Sequence, residues 1–123
     1  MKATKLRIGN WVYDANCEME IQIGSGSHID NLHPKSKPIP LTEEWLERFG
    51  FNQFDESDFF IPLDSDKSLI LMNVRGYWYP RIQQEAEMSH QYIQEVNLNY
   101  VKQVHQLQNL YFALTGEELT LTK

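Results

Sequence analysis

The side chains best suited to chemistry or recognition crowd into two places in this chain. One is Arg75-Gly76-Tyr77-Trp78-Tyr79-Pro80-Arg81, which gathers Trp, Tyr and Arg, the residue types enriched at the energetic centres of protein interfaces. The same rings and guanidinium groups can stack on unpaired bases. Successive side chains of a strand point to opposite faces, so Trp78 goes to one side and Tyr77 and Tyr79 to the other. At least one large ring is then presented beside Arg75 and Arg81, unless the whole segment is core of a two-layer domain. The second place is acidic. Between positions 43 and 66 the eight acids Glu43, Glu44, Glu47, Asp55, Glu56, Asp58, Asp64 and Asp66 stand against one base, Arg48, a local charge of −7. The chain carries −6 in all, so the remainder sums to +1. Such a flank is either a solvated surface or a docking surface for a basic partner.

No catalytic constellation accompanies these two stretches. Asp64-Ser65-Asp66 opens like a calcium loop, but the positions where an EF-hand needs Gly and Glu hold Leu69 and Arg75, so it reads as a hairpin turn. His28 and His33 lie five apart without a cysteine pair or an HExxH arrangement, which is no metal motif. Cys17 follows a turn and has no basic neighbour to lower its pKa, so it reads as no nucleophile. His105 sits at the margin of a polar helix face and is expected to be solvated. The clustered carboxylates fall where the chain should be exposed, whereas acid–base catalysis needs burial or neighbours to tune the pKa. The expectation is a non-enzymatic protein with no metal and no cofactor.

The totals set the frame for these residues. At 123 residues the chain reads as a single domain, 1–123, able to bury roughly two thirds of its unfolded surface. A hydrophobic content of 41% with 12% aromatic residues is that of a globular protein rather than a disordered one. The lone cysteine forms no intrachain disulfide and fits a reducing compartment. No apolar run has the length of a signal peptide core or a membrane span, so the expected location is cytoplasmic, without a membrane partner. Net negative charge disfavours broad electrostatic binding of nucleic acid, which draws its affinity from Lys and Arg on phosphates.

The elements that must position these side chains read as α+β: antiparallel sheet, SH3-like in its tight bends at the N-terminus, with a short central helix and a long C-terminal helix packed on the sheet. Strands are expected over 6–13 (LRIGNWVY), where Gly9-Asn10 marks a bulge or close approach, and over 19–23, where Met19, Ile21 and Ile23 share a face. A short third strand is expected over 28–32. The segment 42–51 is specified locally throughout. Thr42 is the N-cap, Glu43 and Glu44 fill the first turn, and Gly50 takes the left-handed position that lets Phe51 pack back on Leu46. Strands return in FFIPL, SLILMNV and YWYPRIQ, with Pro62 and Pro80 implying edge strands or kinks. A polar turn is expected over 84–91 and a last strand over 92–98. From Tyr100 the spacing predicts a helix capped by Asn97 or Asn99. Its stripe of Tyr100, Val104, Leu107, Leu110, Tyr111 and Leu114 lies within about 120° of arc and ends at Gly116.

Three pieces, LRIGNWV at 6–12, PIPLTEEWLERFGF at 38–51 and VHQLQNLYFALTGEEL at 104–119, together resemble a family of short uncharacterised proteins carried by phages and mobile elements of Bacteroidetes. Residues 52–100 fall outside that resemblance. No activity or site residue is carried over from the family. The resemblance implies context: small accessory proteins on mobile DNA commonly bind host machinery, and counter-defence proteins of the anti-CRISPR type act by occupying a surface. The expected function is therefore a non-enzymatic interaction module, an inhibitor of a host defence protein or nucleoprotein such as an RNA-guided nuclease. Its contact residues are drawn from Glu43, Glu44, Glu47, Asp55, Glu56, Asp58, Arg75, Tyr77, Trp78, Tyr79 and Arg81. The alternatives are a single-stranded RNA or DNA binding module built on Arg75, Trp78 and Arg81, and a self-assembling structural component of a phage.

Overall fold

The protein is described here by a computed structural model covering residues 6–30, 35–53, 55–63, 67–86, 89–93 and 100–122. Eight strands and three helices follow one another among these residues as β1 (Trp11–Asp14), β2 (Met19–Gln22), α1 (Gly26–Asp30), β3 (Lys37–Pro38), α2 (Glu43–Arg48), β4 (Asn52–Gln53), β5 (Asp58–Pro62), β6 (Lys67–Val74), β7 (Tyr77–Ala86), β8 (Ser89–Ile93) and α3 (Val104–Thr115). The fold class is α+β, with two antiparallel sheets of order β2-β1-β3 and β4-β5-β6-β7-β8. They belong to two compact units, Met1–Leu41 with Gln103–Leu119, and Thr42–Lys102 with Thr120–Lys123.

The first unit is held by a small apolar cluster and a polar clamp. Leu6, Val12 and Ile23 are buried together, with Ile21 and Ile29 packed against them. Met19, expected on the same face as Ile21 and Ile23, is instead 55% exposed. The strand expected from position 6 begins only at Trp11, because Gly9 turns the chain with a φ of 98°. Residues 28–30, expected to open a third strand over 28–32, instead end a turn of helix over 26–30, with the Ile29 N–H bonded to the Ser25 carbonyl at 3.3 Å. That single turn brings Ile29 onto the Leu6 cluster, and the third strand is supplied by Lys37–Pro38.

The C-terminal helix starts later than its stripe suggests. Gln103, in extended conformation, is the N-cap, and its N–H donates to Gln106 Oε1 at 3.2 Å. Tyr100 therefore lies outside the helix, while the capping asparagines expected at 97 and 99 fall outside the described residues. Gly116 ends the helix in the left-handed region with a φ of 76°, as its sequence position implies. The buried face is Val104, His105, Leu107 and Gln108, rotated from the expected stripe, and Leu110, Tyr111 and Leu114 are only half-buried. Amide pairing supplies the reason. Gln108 Oε1 accepts the Trp11 N–H and Gln108 Nε2 donates to the Gly9 carbonyl, both at 2.8 Å. Asn109 Oδ1 accepts from Arg7 Nε at 2.7 Å and Asn10 Nδ2 at 3.0 Å. The close approach marked by Gly9-Asn10 is thus an approach of α3, and His105 is buried rather than solvated.

In the second unit α2 follows its local sequence at both ends. The Trp45 N–H donates to Thr42 Oγ1 at 3.5 Å, and Gly50 has a φ of 91°. The Phe51 N–H bonds the Leu46 carbonyl at 2.9 Å and the Gly50 N–H bonds that of Glu47 at 3.0 Å, the paired bonds of a Schellman ending. Thr122 adds a contact that the sequence does not signal, donating its N–H to the Arg48 carbonyl at 2.6 Å.

The five-stranded sheet corrects two expectations. The polar run from position 84 continues β7 to Ala86 and resumes in β8 from Ser89, where a turn was expected over 84–91. Neither β5 nor β7 is an edge strand. Parity explains how they accept proline. Trp78 exchanges both backbone bonds with Val101, at 3.1 and 2.7 Å, so the even positions of β7 bond away from β6. Pro80 has the same parity, and its missing N–H removes nothing from the β6–β7 ladder. Pro62 likewise bonds away from β6, beyond the register of the short β4.

Candidate interaction face

Register sorts the side chains of this sheet onto two faces, because directly opposed residues share a face. On one, Phe59, Leu71 and Pro80 align, beside Leu69 with Ile82 and Asn73 with Trp78. Phe59, Leu69, Leu71 and Trp78 are essentially inaccessible, and the Trp78 and Phe59 rings meet edge-on at 5.6 Å. This face is core. Trp78, expected among the contact residues and as a stacking ring of the single-stranded nucleic-acid alternative, is 1% exposed and offers no surface there.

The opposite face is buried at Ile70 and Asp58 and opens toward the β6–β7 hairpin. Its rows run Phe60, Ile70, Arg81; then Asp58, Met72, Tyr79; then Val74, Tyr77. The Trp78–Val101 bridge extends them, setting Tyr100 beside Tyr79 and Lys102 beside Tyr77. The rings touch accordingly. Tyr77 and Tyr100 lie 4.9 Å apart between centroids and 61° apart in plane, and Tyr79 stands 5.7 Å from Tyr100. Lys102 Nζ is 4.9 Å from the Tyr77 centroid and 5.3 Å from that of Tyr100. Tyr77, Tyr79 and Tyr100 are 38%, 38% and 44% exposed. Alternation along β7 therefore places one ring inside and two outside, and the sheet adds Tyr100 and Lys102, which sequence reasoning had assigned to the helix. The signal was there in Tyr100-Val101-Lys102, exposed, buried, exposed, at the period of a strand.

The hairpin that ends this face is a two-residue turn with Arg75 and Gly76 both at positive φ, 56° and 85°, the combination of the type I′ turn that suits the sheet twist. Asn73 Oδ1 accepts the Gly76 N–H at 3.0 Å and steadies it. Arg75 is exposed there; Arg81, half-buried, shares the face with Asp58 and lowers the cost of its charge.

Of the acidic contact candidates, Glu43, Glu44, Glu47, Asp55 and Glu56 are exposed in this unit, while Asp64 and Asp66 fall outside the described residues. Arg48 is stacked 4.3 Å over the Trp45 ring. Asp58, expected on the surface with them, is buried. Removal from water pushes its carboxyl above the usual carboxylate range, and the charge of Asp55 adds to the shift. Asp55 moves the other way. Its Oδ1 accepts the N–H groups of Ser57 and Asp58, each at 2.9 Å, which holds its pKa down.

In the first unit a cavity of about 560 Å³ lies beside Arg7, His105, Asn109 and Phe112. Arg7 is engaged there by Asn109, by the Gln108 carbonyl at 3.2 Å, by an ion pair with Glu118 and by the Phe112 ring at 4.4 Å. Cys17 is exposed, and a hydrogen bond to the Asp14 carboxylate, helped by its charge, raises the thiol above its ordinary value, which disfavours the nucleophilic thiolate. His33 lies outside the described residues. Among those described, no three His, Cys, Asp or Glu side chains gather to hold a metal, and no helix is long and apolar enough to cross a membrane.

Compared with protein-family models, curated proteins and solved structures, the chain matches none.

Proposed function

We propose that this chain is a non-enzymatic interaction module that docks on a basic protein surface through the hairpin end of its five-stranded sheet. The observation that carries the reading is the contiguous cluster of Tyr77, Tyr79 and Tyr100, each more than a third exposed on one sheet face. Tyrosine gives a contact surface large area at low entropic cost, and it is concentrated at interface centres. The partner's charge follows from the chain's own. At −6 overall, with Glu43, Glu44, Glu47, Asp55 and Glu56 exposed in the same unit, it attracts a positively charged surface and accelerates encounter with it. In the setting that the resemblance to mobile-element proteins implies, such a partner is a host defence nucleoprotein whose nucleic-acid channel is basic.

The test has two arms on the same captured partner. Tyr79→Ala should speed dissociation about tenfold or more, the effect of losing an interface anchor. Glu43→Lys with Glu44→Lys and Glu47→Lys should slow association, most strongly at low salt. Unchanged dissociation in the tyrosine variant rejects the docking face. Capture that depends on nucleic acid and disappears after nuclease treatment makes the tyrosine cluster a base-stacking platform instead.

A further inference from the structure

We propose that Tyr77 and Tyr100 form a recognition site for a cationic side chain, lysine or its N-methylated forms, presented by the basic partner, and that Lys102 occupies this site in the free protein. The inference deepens the docking reading above and rests on it for the identity of the partner. Among the described residues, Arg7 on Phe112, Lys37 on Tyr13 and Arg48 on Trp45 are each a cation on a single ring. Here one ammonium lies within 5.3 Å of two ring centroids whose planes are steeply inclined, and the third ring, Tyr79, borders the second. Ring faces carry the negative part of the aromatic quadrupole, and inclined faces sharing one cation are how proteins bind quaternary and methylated ammonium groups.

Backbone register builds the site. The two-way Trp78–Val101 bond fixes Tyr100 and Lys102 on either side of Val101 and sets both on the face of Tyr77 and Tyr79. The occupant is exchangeable. Lys102 is exposed, its two ring contacts are of the weak, water-accessible kind, and holding its long stem still costs rotamer freedom. Being tethered two residues from Tyr100, it acts as a competitor at high effective concentration, so a cation from outside must displace it. The acidic character of the chain favours a cation as that ligand.

Tetramethylammonium, with uncharged tert-butanol as control, tests the site without any partner, read from the ring resonances of the tyrosines. Lys102→Met, which keeps the apolar stem and removes the charge, should bind tetramethylammonium severalfold more tightly than the natural chain, because the tethered competitor is gone. The shifts should centre on Tyr77 and Tyr100, vanish in Lys102→Met with Tyr100→Leu, and be absent with tert-butanol. Binding no tighter in Lys102→Met, or an equal response to tert-butanol, overturns the cation site. An unchanged core Trp78 resonance shows that each variant is folded. If the cation site fails while Tyr79→Ala still releases the captured partner, the docking face survives without it.

Discussion

The two units of this molecule are specified in different ways. In the first, Leu6, Val12 and Ile23 are buried together, and the helix adds to its own buried Val104 and Leu107 an amide that binds backbone groups of Gly9 and Trp11. In the second, an apolar face across β5, β6 and β7 buries Phe59, Leu69, Leu71 and Trp78, and the polar and aromatic side chains of the opposite face are left for contact. Apolar packing fixes which side of a strand is inside and leaves the other side free to vary, so a surface can be built there at little cost to the fold. A polar clamp fixes position through a few obligatory bonds, and every group in it is committed. This is why the interaction face is sought on the second unit and not in the Arg7 network.

The largest effect expected from this contrast lies within one strand. Trp78→Ala removes a ring that is 1% exposed and packed on Phe59, and should cost about 3–5 kcal/mol. Tyr77→Ala, one residue away on the outer face, should cost about 1 kcal/mol, the worth of an aromatic pair at a half-open site. Urea denaturation of both variants measures the ratio. Equal costs would mean that the tyrosine face is structural and would remove the reason for assigning it to a partner.

Gln108→Leu comes next. It leaves the Trp11 N–H without its side-chain acceptor, whereas the Gly9 carbonyl keeps Gln22 Nε2 at 3.0 Å. Losing both side-chain bonds of this buried amide should cost about 1–3 kcal/mol, despite the gain in hydrophobicity. A neutral or stabilising result would show that α3 is held by its apolar residues after all, and the comparison between the units would fail.

The same contrast explains what was legible in the sequence. The α2 segment could be read residue by residue because Thr42 and Gly50 act on backbone groups within a few positions of themselves. The cores of β5 and β6 were legible as apolar runs. Where a distant partner decides, the reading failed. Gln108 looks like a solvent residue until Gly9 and Trp11 are placed beside it, and with it the buried face of α3 turned toward His105. Tyr100 fits a helical stripe as well as an extended segment, and only the bridge between Val101 and Trp78 sets it beside the sheet. The prolines looked like edge markers because parity relative to β6 cannot be read from one strand. Of the site, Tyr77 and Tyr79 followed from alternation alone, whereas Lys102 needed the bridge that brings it across.

The smallest effect concerns the polar turn before β5, and it carries a sign. Asp55 has its pKa lowered from the ordinary 3.8 by the Ser57 and Asp58 N–H groups. Its contribution to stability is therefore fully present above 3.8 and lost as pH falls through the lower folded value. Asp58 is raised by burial, so its charged form opposes folding. That cost is absent well below 3.8 and complete only above the raised value. Asp55→Asn should thus be less stable than the natural chain at neutral pH, with the difference closing on acidification, whereas any advantage of Asp58→Asn should grow as pH rises. Urea midpoints from about pH 7 to about pH 3 read both slopes. Because Asp55 is exposed and bonds only its own turn, its loss should shift the midpoint less than Gln108→Leu does. A larger shift would show that the second unit, too, depends on a polar clamp, and that its outer face is less free for contact than its apolar core implies.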